Sequence, residues 1–441
     1  MSEPRSTSPA APTTAVGPRL PTIDVLRGVA ILLVILYHLN NLIILPGGWG
    51  LGRGADGSAH LPAGSLVMRF IFLPFHLGRV GVNLFFVLSG LCIHMRWARV
   101  QASGSVEPFS LREFFLRRFF RIYPTYWAAL GIGVFIVPFL YSAVFPAGAP
   151  EVVGMPAVRD VLFHAVMLHS FVKQYMMSII RSLWSIATEE QFYLLYPLVF
   201  VLLGRRVPIA RLVVGLLAFT VVWRLAFVLA NPPPPTFYDG PFLVWIFGFS
   251  LPRYYEWSLG ALLAWMLANR NAARAPFAGR LAEILRTRPR TCAALGLGLI
   301  LAGAGSLLRV QTKYLMEDPC YSTGWFLIVG ATLLQDRLGG ALPPGARARA
   351  WVLARLQSLG RRSFSVYLLH EIALFVTAGL MRTFHLPPIT VAAPLGCLLV
   401  WALCYPFYKY VEAPFELRSK RVGKPVRTLA PAVAAAAAPR D

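Results

Sequence analysis

Charge is scarce in this chain: 14% of its 441 residues are Asp, Glu, Lys or Arg, and 57% are hydrophobic. Long polar stretches are missing between Val25 and Tyr410. That excludes the string of soluble domains such a length would otherwise suggest. Cysteine is scarce too. Cys92, Cys292, Cys320, Cys397 and Cys404 show no C-x-x-C spacing, which excludes a disulfide framework and a thiolate metal site. G-x-x-x-x-G-K-[ST], G-x-S-x-G and H-E-x-x-H are all absent, so there is no ATP-driven engine, nucleophile elbow or zinc-protease helix. The eight histidines include no i, i+4 pair, and His164 and His169 are spaced poorly for a shared ion. No metal is expected. Acids number 19 against 42 Lys and Arg, for a net charge of +23. Such an excess can mark a nucleic-acid binder. Here it sits in short connections between apolar runs, as the positive-inside rule produces, and no nucleic-acid partner is expected.

What is present is a succession of apolar runs near the ~20 residues that span a bilayer as a helix. They fall at roughly 25–45, 76–95, 122–145, 186–204, 209–230, 241–268, 291–309, 320–336, 363–382 and 391–411. The pattern predicts an all-α, polytopic membrane helical bundle of about ten transmembrane helices, since only helices satisfy so much apolar backbone in lipid. Alternate connections are rich in arginine: Arg96, Arg99, Arg112, Arg117, Arg118 and Arg121 in one, Arg205 and Arg206 in the next, Arg270 to Arg290 and Arg337 to Arg362 after them. The connection 231–240 has no Lys or Arg. This alternation places both termini in the cytoplasm. Residues 1–20 read as a disordered cytoplasmic tail with no cleavage site after it, 21–415 as the membrane domain, and 416–441 as a basic, low-complexity cytoplasmic tail. The connection 146–185 holds an apolar piece, "VLFHAVMLHSF", expected to lie in the interface or to re-enter. No internal repeat is visible. With no sizeable soluble domain, an active site must lie inside the bundle or at its mouths.

Ionisable residues within apolar helices are expensive in a bilayer and mark function or a structural partner. "LRGVAILLVILYHL" carries two, Arg27 and His38. Eleven residues place them within ~20° of one face and roughly 16 Å apart along the axis. The structural alternative is an arginine snorkelling to lipid phosphates and a histidine making one interhelical hydrogen bond. "FFLRRFFRIYPTYW" brings Arg118 and Arg121, three apart, onto neighbouring positions of one helix. They read as a phosphate clamp or a topology anchor. "RSLWSIATEEQFYLLYP" carries Glu189 and Glu190 into the fourth span from the outside. Adjacent carboxylates do not share a helix face, so no carboxylate dyad is expected, and a structural pairing with Arg181 is the alternative role. In "GRVGVNLFFVLSGLCIH", Gly81, Ser89 and Gly90 suit close helix contacts, and Asn83 and Ser89 suit interhelical hydrogen bonds. "SFSVYLLHE" places His370 and Glu371 well inside the ninth span. Glu412 of "YVEAPFE" sits where a salt bridge to a basic loop is expected.

Taken together, "IDVLRGVAILLVILYHL", "GVNLFFVLSGLCI", "LRRFFRIYPTYW", "SLWSIATEEQFYLLYP", "SFSVYLLHE" and "YVEAPFE" resemble, in order and across nearly the whole chain, the integral-membrane acyltransferase family 3. That family includes bacterial O-antigen and exopolysaccharide O-acetylases and macrolide acyltransferases. R-x(10)-H at Arg27 and His38 is its first hallmark, and R-x-x-R at Arg118 and Arg121 its second. Many members have an acid where this chain has Asn83, which weakens any case for a catalytic carboxylate in the second span. Some carry a C-terminal SGNH-type domain; the short stretch after residue 411 leads us to expect none here.

The resemblance implies acyl transfer from cytoplasmic acyl-CoA, usually acetyl-CoA, to a hydroxyl of a cell-surface glycan or its lipid-linked precursor, in a multi-pass protein of the bacterial inner membrane. Acyl-CoA is then a co-substrate, with no permanently bound cofactor. Arg27, Arg118 and Arg121 would bind its phosphates. His38 would act as general base or as acyl carrier, and Glu189 and Glu190 would serve the acceptor at the outer mouth. Asn83, Ser89, Tyr193, His370, Glu371 and Glu412 are candidate supporting residues. Two alternatives stand beside this reading. One is a small-molecule acyltransferase with an intracellular acceptor; the other is a glycolipid or solute transporter, against which the absence of repeated halves counts.

Overall fold

A computed structural model describes residues 21–44, 52–53, 59–60, 78–104, 108–145, 154–231, 243–269, 276–305, 310–335 and 347–423. The tail expected at 1–20 and the stretch 424–441 lie outside the described residues. The described chain is mostly helical, with one two-residue antiparallel pairing, Gly52–Arg53 with Ala59–His60. Its helices are α1 (Pro21–Leu39), α2 (Gly78–Ala102), α3 (Leu111–Phe135), α4 (Val137–Val144), α5 (Val158–Ala165), α6 (Leu183–Tyr196), α7 (Ile209–Ala230), α8 (Tyr254–Ala268), α9 (Pro276–Thr287), α10 (Pro289–Gly305), α11 (Val310–Leu333), α12 (Arg347–Arg361), α13 (Ser363–Phe384), α14 (Ala393–Phe407) and α15 (Ala413–Arg421).

Among the described residues, six helices are long and apolar enough to cross a membrane. A seventh is α3 with α4, bent by 45° at Ile136. Pro138 explains the break, since a proline lacks the N–H that would continue the ladder. Three of the ten expected spans fall on helices outside that set. Within 241–268 the chain makes a π-helical turn, Leu243–Gly248, before the 15 residues of α8. α10 has 17 residues, and α11 is longer but carries buried Glu317 and Asp318. The apolar piece at 161–171 forms neither a span nor a long interfacial helix. It makes the end of α5 and a single tight turn, His169–Phe171.

Two apolar clusters organise the bundle. One joins Ile31, Val34 and Ile35 of α1 to α3, α6, α13 and α14. The other joins Leu26 and Ala30, from the other side of α1, to α2, α8, α10 and α11. α1 is therefore the seam between them, and Arg27 and His38 lie on the seam. Small residues set the closest approaches. A Cβ on Gly90 would collide with the carbonyl oxygen of Trp257, and one on Gly260 with that of Val87, so α2 and α8 touch backbone to backbone as Gly90 foreshadowed. Residues 416–421, the start of the stretch read as a basic tail, finish α15. The hydroxyl of Ser419 bonds the carbonyl of Arg117 at 2.8 Å, which docks α15 on α3.

Candidate active site

A cavity of about 130 Å³ opens among α1, α2, α3, α6 and α13. Arg27, Arg118 and Arg121 line it together. Their surroundings differ. Arg27 lies 3.7 Å from Asp24 and 3.4 Å from the sulfur of Cys92. Arg118 lies over the Tyr193 ring, 5.7 Å from its centre, and forms no ion pair among the described residues. Arg121 is bound in a structural pair, 2.8 Å from Glu412 and 3.7 Å from Glu416. Glu412 also accepts the backbone N–H of Ser365 at 3.0 Å and its hydroxyl at 2.5 Å. Its partner is thus an arginine of the basic connection 96–121, the kind of salt bridge expected of Glu412, and that arginine stands on α3.

Glu189 is placed differently from expectation. It lines the same cavity as the three arginines and is not at a separate outer mouth. The reason is depth. Glu189 is nearly two turns into α6, roughly 9 Å from the helix start, and the cavity extends past it to Ser185. Tyr193 donates to Glu189 through a very short bond. The phenol also bonds Ser89 at 3.1 Å, and Ser89 accepts the indole N–H of Trp257 at 3.2 Å. Donor directions therefore run one way, Trp257 to Ser89 to Tyr193 to Glu189, and end on a carboxylate in the cavity. Glu190 points to another face, where Tyr123 donates to one of its oxygens at 3.2 Å. The two glutamates form no dyad, as expected. Neither forms an ion pair with Arg181, whose guanidinium stacks on Phe375 at 4.9 Å.

Ser185 and Tyr367 close the inner end of the cavity, joined hydroxyl to hydroxyl at 2.6 Å. Tyr367 leads one helical turn along α13 to His370, with ring centres 5.7 Å apart. His370 meets His38 edge-on at 4.9 Å. His38 is half-buried and has no hydrogen bond among the described residues. Glu371 turns away and accepts the N–H of Ser182 at 2.8 Å. The arginine end of α1 thus faces the cavity, while its histidine lies just beyond the cavity's inner wall.

Asn83 belongs elsewhere. Its amide donates to Glu256 at 2.6 Å and to Asp318 and Ser322 at 3.3 Å. Arg253 pairs with Glu256 at 2.7 Å and Asp318 at 3.2 Å, and Arg224 with Asp318 at 2.7 Å. This four-helix ionic network is wholly buried. Sequence reading passed over Arg224, Arg253, Glu256 and Asp318. The signal that singled out Arg27, an ionisable residue in an apolar run, was present at Arg224 in "FTVVWRLAFV". Asn40, fully buried with both amide atoms unpaired two residues after His38, was missed as well. His164 and His169 stack face to face at 3.9 Å. Parallel rings cannot aim nitrogens at one ion, and no group of metal-ligand side chains occurs among the described residues.

A cavity walled by arginines and apolar side chains, inside a membrane bundle, is the setting in which known relatives become informative. The family model described as an acyltransferase domain matches residues 20–409, and the chain belongs to that family, the family 3 acyltransferases. It is 24% identical over 417 residues to the peptidoglycan O-acetyltransferase OatA of Listeria monocytogenes, covering 90% of this chain and 56% of the relative. It is 23% identical to the O-acetyltransferase OatA of Staphylococcus aureus, covering 93% and 60%. A putative peptidoglycan O-acetyltransferase of Bacillus subtilis, YrhL, is 28% identical over 193 residues, 44% of this chain and 25% of the relative. The chain therefore spans about three-fifths or less of the length of these relatives. No solved structure matches it.

Proposed function

We propose that this protein is a membrane O-acyltransferase that moves an acyl group, most simply acetyl, from cytoplasmic acyl-CoA to a hydroxyl of a cell-surface glycan or its lipid-linked precursor. The observation that carries the reading is the line from the three-arginine cavity through Tyr367 to the His370–His38 pair. Arg27 and Arg118 supply planar forks for the phosphates of CoA. Arg121, held by Glu412, contributes charge to the wall and fixes its shape. The cavity is of the same order as the ~150 Å³ void that admits benzene, which suits the thioester end of the pantetheine arm and leaves the adenosine outside, with the phosphates at the arginine mouth.

In this mechanism His38 removes the proton of the acceptor hydroxyl. The oxygen attacks the thioester carbonyl, the C–S bond breaks, and the CoA thiolate takes the proton from His38. Glu189 and Tyr193 act on the donor side, within reach of the thioester arm, while the acceptor approaches His38 from the opposite face of the membrane. The names of the relatives favour a peptidoglycan-like acceptor over an intracellular small molecule. The test is transfer in proteoliposomes of known orientation. Acetyl-CoA should serve only on the arginine-rich face and a membrane-impermeant glycan only on the other, with His38→Ala losing at least ~10²-fold in turnover. Acetylation confined to the CoA face would favour the intracellular acceptor. Solute passage without any acetyl transfer would establish a transporter instead.

A further inference from the structure

Beside His38, one nitrogen of His370 has no hydrogen-bond partner among the described residues. His370 Nδ1 lies 2.9 Å from the carbonyl oxygen of Tyr367 and 3.1 Å from that of Val366. Carbonyls only accept, so Nδ1 carries the proton, and in the neutral ring Nε2 is a bare lone pair. Nε2 is buried and has no hydrogen-bond partner among the described residues. Burying an acceptor without a donor is costly, and a native structure rarely does so without a use for it.

The ring packed edge-on against His370 is His38. The centroids are 4.9 Å apart and the planes cross at 67°. Two imidazoles joined by an N–H···N bond of about 2.9 Å have centroids about 5 Å apart, because each nitrogen lies about 1.1 Å from its ring centre. The pair already stands at bonding separation. What is lacking is rotation of the His38 ring about its last side-chain torsion, which is soft for an sp³–sp² bond. Tyr37 touches the His38 ring edge-on at 5.2 Å.

We propose that His370 is a positioning residue whose Nε2 accepts the N–H of His38, and so holds His38 in the tautomer whose other nitrogen is bare and turned to the acceptor hydroxyl. This rests on His38 being the base in the reading above. The backbone carbonyls of Val366 and Tyr367 set the tautomer of His370, and His370 sets that of His38. The arrangement does for His38 what a third group does for the base of a nucleophile–base pair. It needs no carboxylate at the pair, which agrees with Glu371 being turned to Ser182.

Two substitutions separate this role from a structural one. In His370→Asn the amide falls near the position of Nδ1 and keeps the backbone contacts. In His370→Gln it reaches the position of Nε2 and offers an acceptor to His38. Acetyl transfer to glycan is measured for both beside His38→Ala. His370→Asn should lower kcat by about 10²-fold or more with the KM for acetyl-CoA nearly unchanged, and His370→Gln should recover roughly tenfold of that loss. Equal activity of the two variants, or the better activity in His370→Asn, overturns the proposal and makes His370 a packing residue. Near wild-type turnover in His38→Ala overturns His38 as the base in the reading above, a separate outcome. If both His370 variants fail to fold, ¹⁵N-histidine NMR of the wild-type protein with CoA decides. A coupling across the His38–His370 N–H···N bond supports the proposal, and its absence refutes it.

Discussion

Replacing Arg121 should damage the fold, whereas replacing Arg118, three residues earlier on the same helix, should not. The carboxylate of Glu412 is 0% exposed and Arg121 is 26% exposed. Arg121→Ala leaves that carboxylate with only the two bonds from Ser365. Breaking a fully buried pair by removing one partner costs roughly 3–5 kcal/mol, and the partial exposure of Arg121 lets water replace some of the loss, so we expect about 2–3 kcal/mol. Glu412→Gln keeps the shape and a carbonyl acceptor for Ser365, and should cost about 1–2 kcal/mol. The double variant should reveal a coupling of about 1–2 kcal/mol, since both single changes remove the same contact. Arg118 has no carboxylate partner among the described residues, so Arg118→Ala should stay within about 0.5 kcal/mol of wild type. Reversible unfolding in mixed micelles, followed by helical circular dichroism, measures all four. Equal stability of Arg118→Ala and Arg121→Ala, or zero coupling in the cycle, would refute the division of the arginines into one structural and one free.

Arg118→Lys keeps the charge and loses the fork, and should weaken CoA binding about tenfold with no change in unfolding; calorimetric titration with CoA checks it, and unchanged affinity would make Arg118 a topology anchor. Asn83→Asp would set a third carboxylate against Glu256 and Asp318, which two arginines now balance. We expect a loss of at least about 3 kcal/mol or failure to accumulate as folded protein, read by size-exclusion chromatography in detergent, and a stable, active Asn83→Asp would show that the network tolerates another charge. Gly90→Ala forces α2 from the Trp257 carbonyl and strains the Trp257–Ser89 bond. It should cost about 1–3 kcal/mol and reduce acetyl transfer; a neutral effect on both would mean that the two helices can separate freely.

The bundle was legible in one dimension because its signals are local. Apolar run length, the alternation of arginine-rich connections and the scarcity of polar stretches follow from what lipid demands of every helix separately. The shared face of Arg27 and His38 follows from helical pitch alone. Motif resemblance singled out Arg27, Arg118 and Arg121, and the folded bundle places them in one cavity. Which arginine is free was decided only in three dimensions, because Glu412 comes from a helix 291 residues farther along the chain. The same holds for Glu189. Its sequence position gives a depth along α6, but the side of the membrane it serves depends on how far a cavity bounded by other helices extends past it. The network around Asn83 draws on α2, α7, α8 and α11, and the tautomer of His370 on two carbonyls in its own helix and a ring from α1. Periodicity tells which way a side chain points from its own axis. What it meets there is set by the packing of the other helices, and only the folded bundle contains that information.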